Sequence, residues 1–324
     1  MSDRAALEVE ERTPDSAAPV SLGVIIPTHN AARHWPELSA SLNAQGVLPG
    51  QILIIDSTSS DATRDLARAS GYKVVCIPKE EFGHGSTRQL ATSYMPQAEL
   101  LIYMTQDAVL ADPTAIQALC SAMEDPRVGA AYGRQLPRQG ADAIERHARY
   151  FNYPDVSQVK TFESRKVYGI KAAFCSNSFA VYRRSALEEV GGFPSDVIFG
   201  EDSWVAAKML MAGWKVAYRA DAAVVHSHGL GVVEEFHRYF DIGIHHHREA
   251  WLLETFGNAG GEGLRFVRSE LQYLRAHSIG LIPKALIRTM AKLVAYRLGS
   301  MEHRLPVRLN RMLASSPSFW QDPS

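Results

Sequence analysis

Ser21–Asn30 reads SLGVIIPTHN. The run from Ser21 to Pro27 is short, apolar and β-rich, and it stops abruptly at Pro27, leaving Thr28, His29 and Asn30 where the chain must turn. Working outward, QILIIDS (Gln51–Ser57) is a second buried strand and YKVVCIP (Tyr72–Pro78) a third. ELLIYMTQD (Glu99–Asp107) follows as a fourth and VGAAYGRQ (Val128–Gln135) as a fifth. Between them lie a helical stretch with Trp35, Leu38 and Leu42 and a helix from Asp61 to Ala69. Strands alternating with helices predict an α/β fold, a doubly wound and mostly parallel sheet. In such sheets the ligand sits beyond the carboxyl ends of the strands. Thr28–Asn30, Asp56–Asp61 and Gln106–Asp107 should therefore share one rim.

A chain of 324 residues accommodates one such domain of about 230 to 250 residues plus an extension. The expected organisation is a disordered lead-in over 1–19, the α/β domain over 20–245 and a basic helical extension over 246–324. A formal net charge of -1 gives no sign of a nucleic-acid partner. The charge is nevertheless uneven: from Arg265 to Arg311 only Glu270 and Glu302 oppose the arginines and lysines, which points to an anionic partner for the tail. Cys76, Cys120 and Cys175 have neither metal-type nor redox-type spacing. The N-terminal residues are polar and acidic with no apolar core of a secretory signal, and no apolar run reaches the roughly 18 residues that span a bilayer. The expected location is the cytoplasm, peripheral to the inner face of the cell membrane.

Five constellations carry chemistry. Pro27-Thr28-His29-Asn30 with Asp56-Ser57 exposes polar groups at the rim, and Asp56, an acceptor when ionised, suits the imide N–H of a uracil or thymine ring or, equally, a helix cap. Gly83-His84-Gly85-Ser86-Thr87-Arg88 opens a helix, so backbone N–H groups and Arg88 are candidates for an anion, with a solvated Arg88 as the plainer reading. Asp107 ends a buried strand, where a carboxylate is costly unless paired or bound to a cation. Glu201-Asp202 starts an apolar helix; one carboxylate can face a pocket as a base, although an acidic pair also simply complements the helix dipole. His226 and His228, one residue apart after Ala222–Val225, can face one side as metal ligands. His245–His247 lie in an aromatic helical stretch and read as packing.

These segments, in order, resemble family 2 glycosyltransferases, most closely the bacterial branch that uses dTDP-L-rhamnose. The resemblance rests on VIIPTHN, IIDSTSSDAT, EFGHGSTRQLA, TQDA, YGRQLP, FNYP, SNSFAVYRR, GGFP, GED with AAKMLMAG, and HSH, from about Val24 to Asp241. It implies a GT-A fold, a divalent metal (Mg²⁺ or Mn²⁺) and an inverting single displacement onto a saccharide or lipid-linked saccharide acceptor in surface-glycan assembly, such as lipopolysaccharide. By position, Pro27, Thr28, Asn30, Asp56 and Asp61 match the nucleotide pocket, with His84 and Gln106 beside it, and Arg88 a diphosphate or sugar contact. Asp107 matches the last acid of the metal motif, Asp202 the catalytic base and Glu201 its acidic neighbour. Gln106 and Ala108 replace further acids around Asp107, which makes His226 or His228 and the donor's phosphates more necessary as ligands. A UDP-hexose donor, a non-catalytic sugar-nucleotide binding module and a nucleotidyltransferase are the alternatives. The last needs a glycine-rich basic loop where Thr28-His29-Asn30 stand.

Past Asp241 these motifs thin out. Ile282, Ala285, Leu286, Thr289, Met290, Leu293 and Val294 form a stripe at helical spacing, and Lys284, Arg288 and Lys292 form another face. The expectation is a helix packed on its own domain through the apolar side; the alternative is a helix lying on anionic lipid with its basic face toward headgroups.

Overall fold

The opening run is a strand, β1 (Leu22–Thr28), hydrogen-bonded in parallel to β2 (Ile52–Asp56) on one side and β4 (Leu100–Met104) on the other. Ile52, Leu53, Ile54 and Ile55 are almost wholly buried, as a strand covered on both faces requires. The structure, a computed structural model, describes residues 21–226, 229–258, 261–316 and 319–320. The expected lead-in over 1–19 and His228 lie outside the described residues.

Further strands are β3 (Lys73–Cys76), β5 (Val109–Leu110), β6 (Val128–Leu136), β7 (Gln158–Lys160), β8 (Phe179–Arg183) and β9 (Lys215–Val225). The sheet runs β3-β2-β1-β4-β8-β6-β9-β5, with β7 also paired to β9. β1, β2, β3, β4, β6 and β9 point one way, while β5, β7 and β8 are antiparallel to their neighbours. The mostly parallel sheet is thus present. Because β8 runs opposite to β4 and β6, its amino end lies at their carboxyl ends, bringing the preceding Ser176 and Asn177 to the rim.

Helices cover both faces. On one side α1 (Trp35–Asn43), α2 (Thr63–Ala69) and α4 (Ala115–Cys120) bury Trp35, Leu38, Ala67 and Leu119 against Val24, Ile26 and Ile54. On the other, α3 (His84–Ser93), α7 (Arg184–Glu189), α8 (Glu201–Met211) and α10 (Ala250–Phe256) pack on Ile25, Leu53 and Tyr103. α5 (Ala143–Asn152) and the short α6 (Arg165–Tyr168) sit in the connection between β6 and β8.

The C-terminal region adds α9 (Val232–Arg248), α11 (Glu262–His277), α12 (Ile282–Gly299) and α13 (Val307–Leu313). α12 lies beside α9, and the two approach most closely at glycine. A Cβ on Gly299 would collide with the Phe240 carbonyl oxygen, and one on Gly243 with that of Tyr296. The inward face of α12 matches the expected one only in part: Ala285 is buried and Ile282 packs beside it, but the rest of that face is Arg288, Ala295 and Gly299. Arg288 is buried and grips Glu235 with both Nε (2.7 Å) and Nη2 (2.6 Å), and Lys292 joins the same carboxylate at 3.1 Å. Leu286, Met290, Leu293 and Val294 are instead exposed, as is Ile287. Periodicity placed Ala285 inward as expected, but it put Leu286, Met290, Leu293 and Val294 on the wrong side and left Arg288 outside. A buried acid on α9 claims the basic side, and a bidentate guanidinium–carboxylate pair needs that short reach.

Candidate active site

Two adjoining cavities open along the carboxyl rim. One, of about 510 Å³, is lined by Arg33, His34, Gln106, Asp107, Arg138 and Glu234 among others. The second, of about 490 Å³, is lined by His84, Arg88, Thr105, Asn177, Glu201, Asp202, His226 and Arg238, with Ser315 and Ser316 from the C-terminal tail. Asp107, Leu230 and Glu234 border both. The tail is held there by the Ser315 backbone N–H, which donates to Asp241 Oδ2 at 3.1 Å.

The acidic pair is placed by Gly200, whose φ of 76° starts α8 in a left-handed turn. Both carboxylates fall in the first helical turn, where free N–H groups favour negative charge. Their surroundings then divide them. Glu201 is buried; its Oε1 accepts from Arg88 Nη1 at 2.7 Å and from Asn177 Nδ2 at 3.1 Å. Burial, the largest influence, raises its pKa, but the Arg88 guanidinium, His84 and the hydrogen bond from Asn177 together hold the carboxyl below its usual range. Asp202 accepts from the Asn177 and Ser203 backbone N–H groups at 3.1 and 2.7 Å. Burial first, and the Glu201 charge second, push it up to about 7. A carboxylate tuned toward neutrality on a cavity wall is chemically suited to exchange a proton.

Arg88, read from sequence as an anion clamp or a solvated group, lines the second cavity but is largely enclosed. It is buried, gives Nη1 to the His84 carbonyl and to Glu201, and its Nε has no partner among the described residues. His84 is exposed at the mouth.

Across the second cavity, His226 Nε2 stands 3.3 Å from Asp107 Oδ1. Gln135 Oε1 accepts from Arg149 Nη1 at 2.7 Å and lies 3.1 Å from His226 Nδ1. Arginine can only donate, so this amide oxygen is an acceptor and Nδ1 carries the hydrogen. The electron-rich Nε2 is thereby aimed at a carboxylate oxygen, an arrangement that a proton or a divalent cation between them satisfies. Among the described residues no group of three His, Cys, Asp or Glu side chains could hold a metal. A cation here would have to complete its shell from a ligand's oxygens.

The β1 and β2 loop ends are bound to each other. Asp56 is fully buried: Oδ2 accepts from Thr28 Oγ1 at 3.0 Å and Oδ1 from the Ser59 N–H at 2.8 Å. Asn30, at φ 51°, accepts from the Ser60 N–H at 2.9 Å, and Asp61 accepts from those of Ala32 (3.1 Å) and Thr63 (3.0 Å). Pro27 is half-buried in β1. These five residues do not line either cavity. Gln106, which does, connects to them: its amide accepts from the His29 N–H at 2.7 Å and donates to the His29 carbonyl at 3.2 Å.

Sequence reading missed Asn177, which bridges both members of the acidic pair, and Gln135, which orients His226. Each stands inside a quoted motif, SNSFAVYRR and YGRQLP, yet nothing in those strings says which side chain turns inward. Arg33, Arg138, Glu234 and Arg238 were missed too, because they come from separate loops and one helix. Among aromatics near the site, Tyr153 is buried in the core, Phe151 packs on Phe266, and Trp204 donates to Glu249 at 2.9 Å.

A rim-lined α/β sheet with an acidic pair at a helix start is the arrangement of a glycosyltransferase, and the chain belongs to glycosyl transferase family 2, whose model matches residues 23–191. It is 43% identical over 304 residues to the O-antigen chain rhamnosyltransferase RfbN of Salmonella typhimurium, covering 94% of this chain and 97% of that protein. It is 41% identical to the O-antigen chain rhamnosyltransferase WbaN of Salmonella anatum, covering 93% and 96%. Among solved structures, the mannosyltransferase PcManGT from Pyrobaculum calidifontis, in complex with GDP-Man and Mn²⁺, matches with a TM-score of 0.57 at 20% identity over 95% of this chain and 87% of that one. That likeness confirms the expected GT-A fold.

Proposed function

We propose that this chain transfers L-rhamnose from dTDP-L-rhamnose, with inversion, to a hydroxyl of a saccharide or lipid-linked saccharide in O-antigen assembly at the inner face of the membrane. The observation that carries the chemistry is Asp202, raised toward neutrality on the wall of a cavity also lined by Asp107 and His226. Identity above 40% along nearly the whole chain to RfbN and WbaN supports the sugar.

In this reading the nucleoside diphosphate occupies the cavity lined by Gln106, Arg33 and Arg138. Thr28, Asn30, Asp56 and Asp61 stiffen its base-binding wall, with Pro27 fixing the strand end. Asp107 and His226 would hold Mg²⁺ or Mn²⁺, together with the donor's phosphate oxygens. That ion would neutralise charge on the departing diphosphate. Asp202 takes the acceptor hydroxyl's proton as its oxygen bonds to the anomeric carbon and the bond to phosphate breaks. Glu201, held by Arg88 and Asn177, keeps its charge beside Asp202 and does not itself take the proton. A β-linked donor then gives an α-linked product.

The test is release of dTDP from dTDP-L-rhamnose by the purified protein, compared with UDP-glucose, in Mn²⁺, Mg²⁺ or EDTA. Release confined to dTDP-L-rhamnose, suppressed by EDTA and lost in Asp107→Ala, is expected. Turnover of UDP-glucose alone would remove the rhamnosyl assignment.

A further inference from the structure

Helix α12 leaves an apolar surface that nothing among the described residues covers. Ile279, Leu286, Ile287, Met290, Leu293 and Val294 are all exposed, Ile279 to 70% and Ile287 and Met290 to 60%. The last five recur at helical spacing and form one continuous strip over more than two turns. Scattered exposed apolar residues need no explanation, but a contiguous strip on one helix does. The strip is also held in place. Arg288 and Lys292 fasten the opposite face to Glu235, and Lys284 reaches Asp142 at 3.1 Å. These ion pairs prevent α12 from rolling its apolar side inward.

The surrounding charge identifies the occupant. From residue 263 to 316 the only acids, Glu270 and Glu302, are buried. Arg275, Arg297, Arg304, Arg308 and Arg311 are all exposed. None of the five has a carboxylate within 4.0 Å among the described residues. An apolar strip in a segment whose exposed charges are all positive is complementary to a bilayer surface with anionic headgroups: side chains enter the acyl boundary while arginines meet phosphates. A second copy of this chain would bring the same positive border against itself. No helix of the described residues is long and apolar enough to cross a membrane, so the contact is interfacial.

We propose that α12 docks this protein on an anionic lipid bilayer by inserting its Leu286–Val294 strip, with the arginines after it on the headgroups. This deepens, and rests on, the reading of a membrane-borne acceptor. Glu234 lines both cavities while its neighbour Glu235 anchors α12, so docking would set the cavity mouth one helix away from the lipid.

The experiment is flotation of the full-length protein with phosphatidylglycerol-containing vesicles and with pure phosphatidylcholine vesicles, alongside dTDP release from dTDP-L-rhamnose and light-scattering mass. Wild type is expected to float with the anionic vesicles, less so at high salt. A double variant, Met290→Asp with Leu293→Asp, should bind about tenfold more weakly or worse. Arg308→Glu with Arg311→Glu should weaken binding in a salt-dependent way. All three proteins should release dTDP alike, because these residues stand outside the cavities; loss of release in wild type would count against the sugar reading and leave docking testable by itself. Absence of wild-type flotation, flotation unchanged by the apolar substitutions, or a dimer that Met290→Asp dissociates would overturn the proposal.

Discussion

Among the described residues there are two buried arginine–glutamate pairs, and their difference separates chemistry from architecture. Glu235 meets Arg288 through two parallel hydrogen bonds and takes Lys292 as well. Glu201 meets Arg88 through one nitrogen, and the buried Nε of that arginine has no partner among the described residues. The first pair is saturated and faces another helix. The second borders a cavity and has an adjacent carboxylate, Asp202, whose proton affinity is raised first by burial and then by the Glu201 charge, with Arg88 opposing. A saturated pair fixes geometry; an incompletely satisfied one keeps a neighbouring group in the state that chemistry needs.

The largest effect should come from the cavity side. Asp202→Ala is expected to lower transfer by about 100- to 10,000-fold, the usual contribution of a positioned base, while titration with dTDP shows unchanged affinity. Turnover near wild type would remove the distinction between the two regions. The α9–α12 pair should behave in the opposite way. Arg288→Ala strands Glu235 in a buried place and is expected to cost about 3 to 5 kcal/mol, seen as a lower melting temperature, with kcat at 25 °C retained by the folded fraction. A loss of kcat without a loss of stability would mean that this pair, too, serves the reaction.

The same contrast explains what could be read from the sequence. The parallel half of the fold was legible because β1, β2 and β4 are apolar runs whose ends are marked by turn residues, and burial on both faces leaves such runs no alternative. β8 was quoted within a motif but not seen as a strand, and β5 and β7 are two and three residues long, too short to show a period. At the site, residues sitting on strand ends or a helix start were found: Gln106, Asp107, Glu201, Asp202 and His226. Asn177 and Gln135 were not, since their roles depend on pairings across 24 and 91 residues of chain. α12 was misread in part for a related reason. Amphipathicity divides a helix into two faces, but only a partner such as Glu235, from another helix, decides which face is buried.

The smallest predicted effect is also the most direct test of how the site is tuned. Removing the Glu201 charge relieves the repulsion that raises Asp202, so its pKa should fall, and activity requiring ionised Asp202 should persist to lower pH. The measurement is the pH dependence of kcat/KM for rhamnose transfer in wild type and in Glu201→Gln. Wild type should lose activity as pH falls through about 7, and the variant should show the same limb at more acidic pH, whatever its maximal rate. A limb that stays in place, or moves to higher pH, would contradict the assignment of Asp202 as the base held in readiness by its neighbour.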